Sequence, residues 1–514
     1  MSTTPVEPSP ATPAAPWRRA ADALAAVAVL TLTLLDQAAT LFQRDEWVDW
    51  IAYALPAANV LGRGTFATPQ LGDQFGLDRF WLWNSPLMGL GPLPFYAAFG
   101  VSRTAYLLGC LLLSAVVVVV TTVLMRSALG LRSWALAAVV GYAVLGTQTY
   151  YVELGNQRYC VIVVAALAYL FFPAPAAPHR AGTSPARWAL AGVLPLLHPS
   201  LLFASALWVI GEALPRALDR WRGRRTPVPW AGLALFAAGV VACAAWYLRP
   251  EPLRLQFLPQ ARSISARSGL VLGVSKLFGV PTYAGYALIV ASAVAAVFAG
   301  RGRATTEPGL VRAGLTVLVA LALELARGFV YMPYYLMGLA PAVFCVWRPT
   351  SLRTAVTVAL VAVALMNAAV ASRFATFRYP LTHPAAERAF IVGQTRPGDR
   401  IVLGPPLVLA AASTDWPEGR SVRFVVPQPY ILAAYDDARF RASILEGSDV
   451  YVGEEKSYFF TDSRQYYDNA RNGVGDRAAL FPGAEVTRAR LGGRDLLIVR
   501  SNRPQPRRSR QLAP

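Results

Sequence analysis

Runs of about 20 apolar residues, long enough to cross a bilayer, recur along the 514-residue chain. They lie at roughly 20–42, 104–124, 133–149, 159–173, 188–214, 230–248, 283–300, 309–326, 328–347 and 352–372. Backbone in hydrocarbon must satisfy its own hydrogen bonds, so such runs fold as helices. Hydrophobic residues make up 55% of the chain and charged residues only 15%, against roughly 25% charged in soluble domains. The predicted fold class is a polytopic α-helical membrane protein, spanning 20–375, with a C-terminal soluble α/β domain.

A formal charge of +19 would suit a nucleic-acid binder, but its distribution argues for no nucleic acid. Lys276 and Lys456 are the only lysines, and many arginines sit in short loops between apolar runs, where they set topology. No basic-aromatic motif accompanies them. Cys110, Cys160, Cys243 and Cys345 are scattered singly among apolar residues and read as small hydrophobes, with no disulfide or thiolate metal site.

Residues 1–19 are Pro/Ala-rich between Pro5 and Pro16 and are expected to be disordered and cytoplasmic, because Arg18 and Arg19 precede the first run. The run 188–214 decides the topology. A single kinked crossing there gives ten crossings and puts Arg216, Arg220, Arg222, Arg224 and Arg225 outside. Proline disfavours helix in the residue before it, so a turn at His198-Pro199 between two short half-helices is the favoured reading. The arginine-rich loops then all fall inside, the count becomes about 11 crossings, and everything after about 375 lies outside. The setting implied is a bacterial plasma (inner) membrane with the C-terminal domain extracytoplasmic.

In 376–500, short apolar runs at 400–403, 422–426, 449–452 and 496–499 read as strands. Helical stretches near 385–395, 405–413, 431–446 and 462–471 alternate with them, which predicts a small α/β sheet. Residues 501–514 form a basic tail (Arg503, Arg507, Arg508, Arg510), expected to be disordered and able to touch anionic membrane lipids. No fixed-period repeat and no matched pair of broken helices is present, which argues against an inverted-repeat transporter.

The first external loop, 43–103, holds the candidate chemistry. It opens on Asp45, Glu46 and Asp49 with Trp47 and Trp50, directly after an apolar run. Asp45 could equally cap an amphipathic helix over Trp47 to Leu61, and Trp47, Trp50, Trp81 and Trp83 could form an interfacial aromatic belt. Further along stand Asn59-Val60-Leu61-Gly62-Arg63-Gly64, Asn84-Ser85-Pro86-Leu87, Pro94-Phe95-Tyr96 and Phe99-Gly100.

In order and type, these features resemble the first external loop of the GT-C glycosyltransferases, polytopic enzymes that take sugars from polyprenyl-phosphate carriers. The resemblance is to the protein O-mannosyltransferases and the lipid A aminoarabinose transferases. It extends to Glu153-Leu154-Gly155-Asn156-Gln157-Arg158, to Leu197-His198-Pro199 and to Tyr334-Tyr335-Leu336, and covers about 350 residues in organisation. It implies an inverting sugar transfer from a polyprenyl-phosphate-sugar donor to a lipid, glycan or protein acceptor on the outer face. The family places its acid at the position matching Asp45 or Glu46, so Asp45 is expected as general base, with Glu46 beside it. Asp49 and Glu153 would orient the acid or bind acceptor.

The leaving phosphate calls for cations at the membrane surface. Arg158, Arg267, Lys276 and Arg327 lie on the predicted outer side, and Arg158, Lys276 and Arg327 are the expected donor-phosphate ligands. Arg158 and Arg327 could instead snorkel as helix-end anchors. His198 could bind phosphate or acceptor, or merely satisfy backbone groups beside Pro199. Asp36, inside the first run, is a functional suspect or a hydrogen-bond partner of a neighbouring helix. Glu324 and Arg327 are spaced as an ion pair. Asp45, Glu46, Asp49 and Glu153 could hold a divalent cation (Mg or Mn), but no spacing demands a metal.

Two departures stand out: Asn84-Ser85-Pro86 where relatives often carry His or Tyr with paired prolines, and His198-Pro199 where several carry Lys-Gly. Both bear on the donor sugar and lipid contacts. The rival functions are a flippase of lipid-linked glycans and a non-catalytic membrane scaffold. The flippase needs charges paired at mid-membrane, which runs such as 285–300 and 355–370 lack.

Overall fold

The computed structural model describes residues 16–43, 54–71, 86–146, 162–172, 184–223, 228–250, 253, 280–299, 308–327, 332–374, 382–404, 407–424, 448–454 and 484–501. Among these, three helical stretches are long and apolar enough to cross a membrane: Arg103–Leu129, Pro199–Trp221 and Trp230–Tyr247.

Helix α1 (Pro16–Gln43) leads to the loop helices α2 (Leu55–Arg63), α3 (Pro86–Leu90) and α4 (Leu93–Phe99), with a 3-10 turn at Pro69–Leu71 between α2 and α3. The amphipathic helix expected over 47–61 therefore begins, among the described residues, only at Leu55, with Pro56 in its first turn. Proline lacks the amide that a continuing helix needs, and it suits a first turn. Gly64 (φ 65°) ends α2 in the left-handed conformation, its N–H donating to the Val60 carbonyl at 3.1 Å while the Thr65 N–H donates to the Asn59 carbonyl at 3.4 Å.

Helices α5 (Arg103–Leu129) and α6 (Trp134–Gly146) pack on α1. Ser102 caps α5, accepting from the Ala105 amide. Ser133 caps α6 locally, accepting from the Leu136 amide at 3.0 Å, and a second cap comes from far away in sequence. Asp22 of α1 accepts from the Trp134 amide at 2.7 Å, the Ala135 amide at 3.3 Å and the Ser133 hydroxyl. Tyr142 of α6 donates to Asp36 of α1 at 3.0 Å, so Asp36 does bond a neighbouring helix.

Helix α7 (Ile162–Phe171) is followed by α8 (Pro185–Leu197) and α9 (Leu202–Trp221). These two helices fold back on each other. Trp188 meets Trp208 edge to face at 5.1 Å, and Ser205 donates to the Ala191 carbonyl. Each pair is equidistant from His198 along the chain, which is the signature of a hairpin and not of one kinked rod. Two expectations are corrected. The second arm is a full 20-residue helix, not a short half-helix, and Arg216 and Arg220 lie on it instead of in a loop. Glu212 explains the extension: it pairs with Arg216 at 2.5 Å on its own helix. It also pairs with Arg312 of α12 (Pro308–Arg327).

Helix α10 (Trp230–Tyr247) runs parallel to α8 at backbone contact. A Cβ on Gly239 would stand 2.5 Å from the Gly192 carbonyl carbon, and one on Gly192 would stand 2.6 Å from the Phe236 oxygen. Small residues at this seam permit a separation that larger ones forbid. Helix α11 (Val280–Ala299), α12, α13 (Met332–Phe344) and α14 (Arg353–Phe374) complete the helical part.

The C-terminal part holds α15 (Pro384–Gln394), β1 (Arg400–Leu403), α16 (Val408–Ala411), β2 (Ser421–Phe424), β3 (Val450–Glu454), β4 (Glu485–Leu491) and β5 (Arg494–Arg500). The sheet order is β2-β1-β3-β5-β4. β1 is parallel to β2 and β3, whereas β5 is antiparallel to β3 and β4. Val450, Tyr451 and Val452 of β3 and Leu496 to Val499 of β5 are all buried, so both faces of the sheet's centre are covered. The β4–β5 hairpin turns on Gly492 (φ 55°) and Gly493 (φ 83°), where a two-residue turn requires positive φ.

Candidate active site

The hairpin tip between α8 and α9 is built from His198, Pro199 and Ser200. His198 is extended (φ −159°, ψ 133°), because proline follows it. Its Nδ1 accepts from the Ser200 amide at 3.3 Å and lies 2.7 Å from the Ser200 hydroxyl. The imidazole thus satisfies backbone groups beside the proline while remaining half-buried. Tyr334 stands edge-on to the His198 ring at 5.4 Å, and Tyr335 donates its hydroxyl to the Ser200 carbonyl. Leu197-His198-Pro199 and Tyr334-Tyr335-Leu336 are 135 residues apart at the Ser200–Tyr335 bond, and the fold brings them together.

The end of α10 joins this group. Tyr247 donates to the Pro195 carbonyl at 2.9 Å, tying α10 to the last turn of α8. Arg249 follows two residues later, with its guanidinium 4.4 Å from the Trp246 ring centroid and its Nε donating to the Trp246 carbonyl at 3.3 Å. Burial pulls the Arg249 pKa below the usual arginine value. A cation partly withdrawn from water favours an anionic neighbour, since the two charges then act in a lower dielectric.

The first loop lies against the same end. Phe66 meets Trp246 edge to face at 5.7 Å, and α3 packs on α8. Asn59 and Gln70 hold this part of the loop in shape. Their buried amides pair reciprocally, the Gln70 Nε2 donating to Asn59 Oδ1 at 2.5 Å and the Asn59 Nδ2 to Gln70 Oε1 at 3.0 Å. Asn59 also donates to the Ala67 carbonyl at 2.8 Å. A satisfied buried amide pair fixes one conformation, because any other leaves polar groups unpaired.

The remaining expected site residues fall elsewhere. Asp45, Glu46, Asp49, Glu153, Arg158, Arg267 and Lys276 lie outside the described residues. Arg327 is the last residue of α12, and its side chain is not among those described. Glu324 is buried one turn earlier. Among the described residues no three His, Cys, Asp or Glu side chains gather as a metal set. Sequence reasoning missed Arg249 and Trp246. The available signal was the run Trp246-Tyr247-Leu248-Arg249 closing an apolar helix, an aromatic belt with a cation attached.

No protein-family model matches the chain, and no curated protein matches it. Solved structures do. ArnT from Cupriavidus metallidurans, bound to undecaprenyl phosphate, aligns at 14% identity over 92% of this chain and 97% of its own, with a TM-score of 0.53. Arabinofuranosyltransferase AftD from Mycobacteria aligns at 16% identity over 94% of this chain and 41% of its own, with a TM-score of 0.44. The archaeal oligosaccharyltransferase AglB from Archaeoglobus fulgidus, in complex with an inhibitory peptide and a dolichol-phosphate, aligns at 10% identity over 93% and 74%, with a TM-score of 0.46. The ArnT alignment takes in nearly the whole of both chains, and this chain shares the fold of ArnT.

Proposed function

We propose that the protein is an integral-membrane glycosyltransferase that takes a sugar from a polyprenyl-phosphate carrier. The observation that carries this reading is the near end-to-end likeness to ArnT, a protein solved with undecaprenyl phosphate. The meeting of loop, hairpin tip and Arg249 at one end of the bundle supports it.

In this reading the hairpin at His198 makes about 11 crossings, and the acidic loop and C-terminal domain share the outer face. Asp45 removes the proton from an acceptor hydroxyl or amine as the sugar–phosphate bond breaks through an oxocarbenium-like state. Glu46 sits beside it, and Asp49 and Glu153 orient the acid or hold acceptor. Arg158, Lys276 and Arg327 meet the phosphate whose charge grows as the sugar leaves. Arg249 joins that group, held in place by Trp246, and His198 lines the site from the hairpin tip. Acceptors are lipids, glycans or proteins at the membrane surface.

The test is transfer of labelled sugar by purified protein in lipid. Asp45→Asn is expected to lower turnover by about 10²–10⁴-fold with donor binding kept, the usual worth of a general base. Full transfer by that variant would refute the assigned base.

A further inference from the structure

Arg103 opens α5, three residues after the loop closes at Gly100. Its side chain leaves the helical bundle for the C-terminal part of the chain. Nη1 donates to the Thr382 carbonyl at 2.6 Å and lies 2.8 Å from the Thr382 hydroxyl. It pairs with Glu387 of α15 at 2.5 Å, and the two side chains are only 3% and 1% exposed. The Thr382 hydroxyl donates in turn to the same Glu387 oxygen. An ion pair this deeply buried gives little net stability over apolar packing, yet breaking one half leaves an uncompensated charge. Its value is the geometry it enforces.

The rest of the contact surface points the same way. Arg63, the last residue of α2, donates to the Ser413 carbonyl at 3.3 Å. A Cβ on Gly62 would stand 3.7 Å from the Thr414 methyl. Strand β2, an edge of the sheet, lies on the 3-10 turn at Pro69–Leu71. The C-terminal part therefore grips the loop at α2, at the 3-10 turn and at the start of α5.

We propose that Arg103 is a positioning residue for the transfer: through Glu387 and Thr382 it locks the C-terminal domain onto α2 and the 3-10 turn of the first loop, the loop whose sequence carries the proposed acids Asp45, Glu46 and Asp49. The inference rests on the reading that those acids carry out the transfer.

The test uses the full chain in nanodiscs. The pair Gly62→Cys with Thr414→Cys is placed to form a disulfide across the clamp, read by gel shift against each single variant. Adding Arg103→Ala is expected to slow that crosslinking, and alone to lower kcat by about tenfold or more with donor KM little changed. Closing the crosslink in the Arg103→Ala protein is expected to restore kcat, which a residue needed only for folding would not show. Arg103→Lys, which keeps the charge, should fall between. If Arg103→Ala proves unstable, Thr382→Val supplies the milder break, with the same slowed crosslinking and lowered kcat expected. Wild-type crosslinking and kcat in that variant or in Arg103→Ala would overturn the clamp. So would a crosslinked Arg103→Ala protein that stays slow. If Asp45→Asn keeps full turnover while Arg103→Ala crosslinks slowly, the acid assignment falls and the clamp stands.

Discussion

Asp449 shows how much one carboxylate can organise in the sheet. It accepts from the Arg400 backbone amide at 2.9 Å and from the Arg400 guanidinium through both Nε and Nη2 at 3.0 Å. Burial by itself would raise its pKa. The hydrogen bonds and charge of Arg400, with Arg500 beyond, outweigh burial and hold the group below the usual carboxylate value. A depressed folded pKa contributes stability that is present above the unfolded value, near 4, and lost as pH falls through the folded one. Asp449→Asn is therefore expected to lower the unfolding free energy of the C-terminal part near neutral pH by about 1–3 kcal/mol, read as a lower urea midpoint. The difference between variant and parent should be full above the unfolded value and shrink as pH falls below it. Protease release of fragments from 382–501 in the full chain reads both. Equal midpoints at neutral pH would show that Asp449 adds nothing.

At the scale of elements, the seam between α8 and α10 has no slack. Gly192→Ala puts a methyl against backbone, which cannot swing aside as a side-chain tip can. Overpacking of this kind costs about 1–3 kcal/mol, so a fall of several degrees in thermal midpoint in detergent is expected. Gly393→Ala in α15 is the contrast, since nothing lies within 4 Å of its added Cβ. It should be neutral or gain up to about 1 kcal/mol from helix propensity. The apolar runs announced these helices because hydrophobic length is a local property. The hairpin was legible too, in His198-Pro199 and the arginines beyond it. The length of α9 was not, since the pairing of Glu212 with Arg312 crosses to another helix. Strand β4 escaped notice because it is an exposed edge with mostly polar residues, Glu485, Thr487, Arg488 and Arg490, and carries no apolar run.

For the whole molecule, the hairpin makes a topological prediction. Cysteines placed at Trp221 and near the N-terminus should label from one side of the membrane, and one in the C-terminal tail from the other. Labelling of Trp221→Cys from the side of the tail would overturn the eleven-crossing arrangement. The grouping of His198 with Tyr334 and Tyr335 in the candidate site was partly legible for the same reason as the hairpin: a proline-bound histidine and a tyrosine pair are conspicuous in apolar surroundings. Arg249 and Arg103 were not, because their meaning lies in which distant segments they touch. Asp22 extends that lesson to biogenesis. The Trp134 and Ala135 amides of α6's first turn are satisfied by a carboxylate made more than a hundred residues earlier. The bond can close only once both segments are in place, and a nascent chain with Asp22→Ala should expose the 133–135 stretch to protease for longer than its parent.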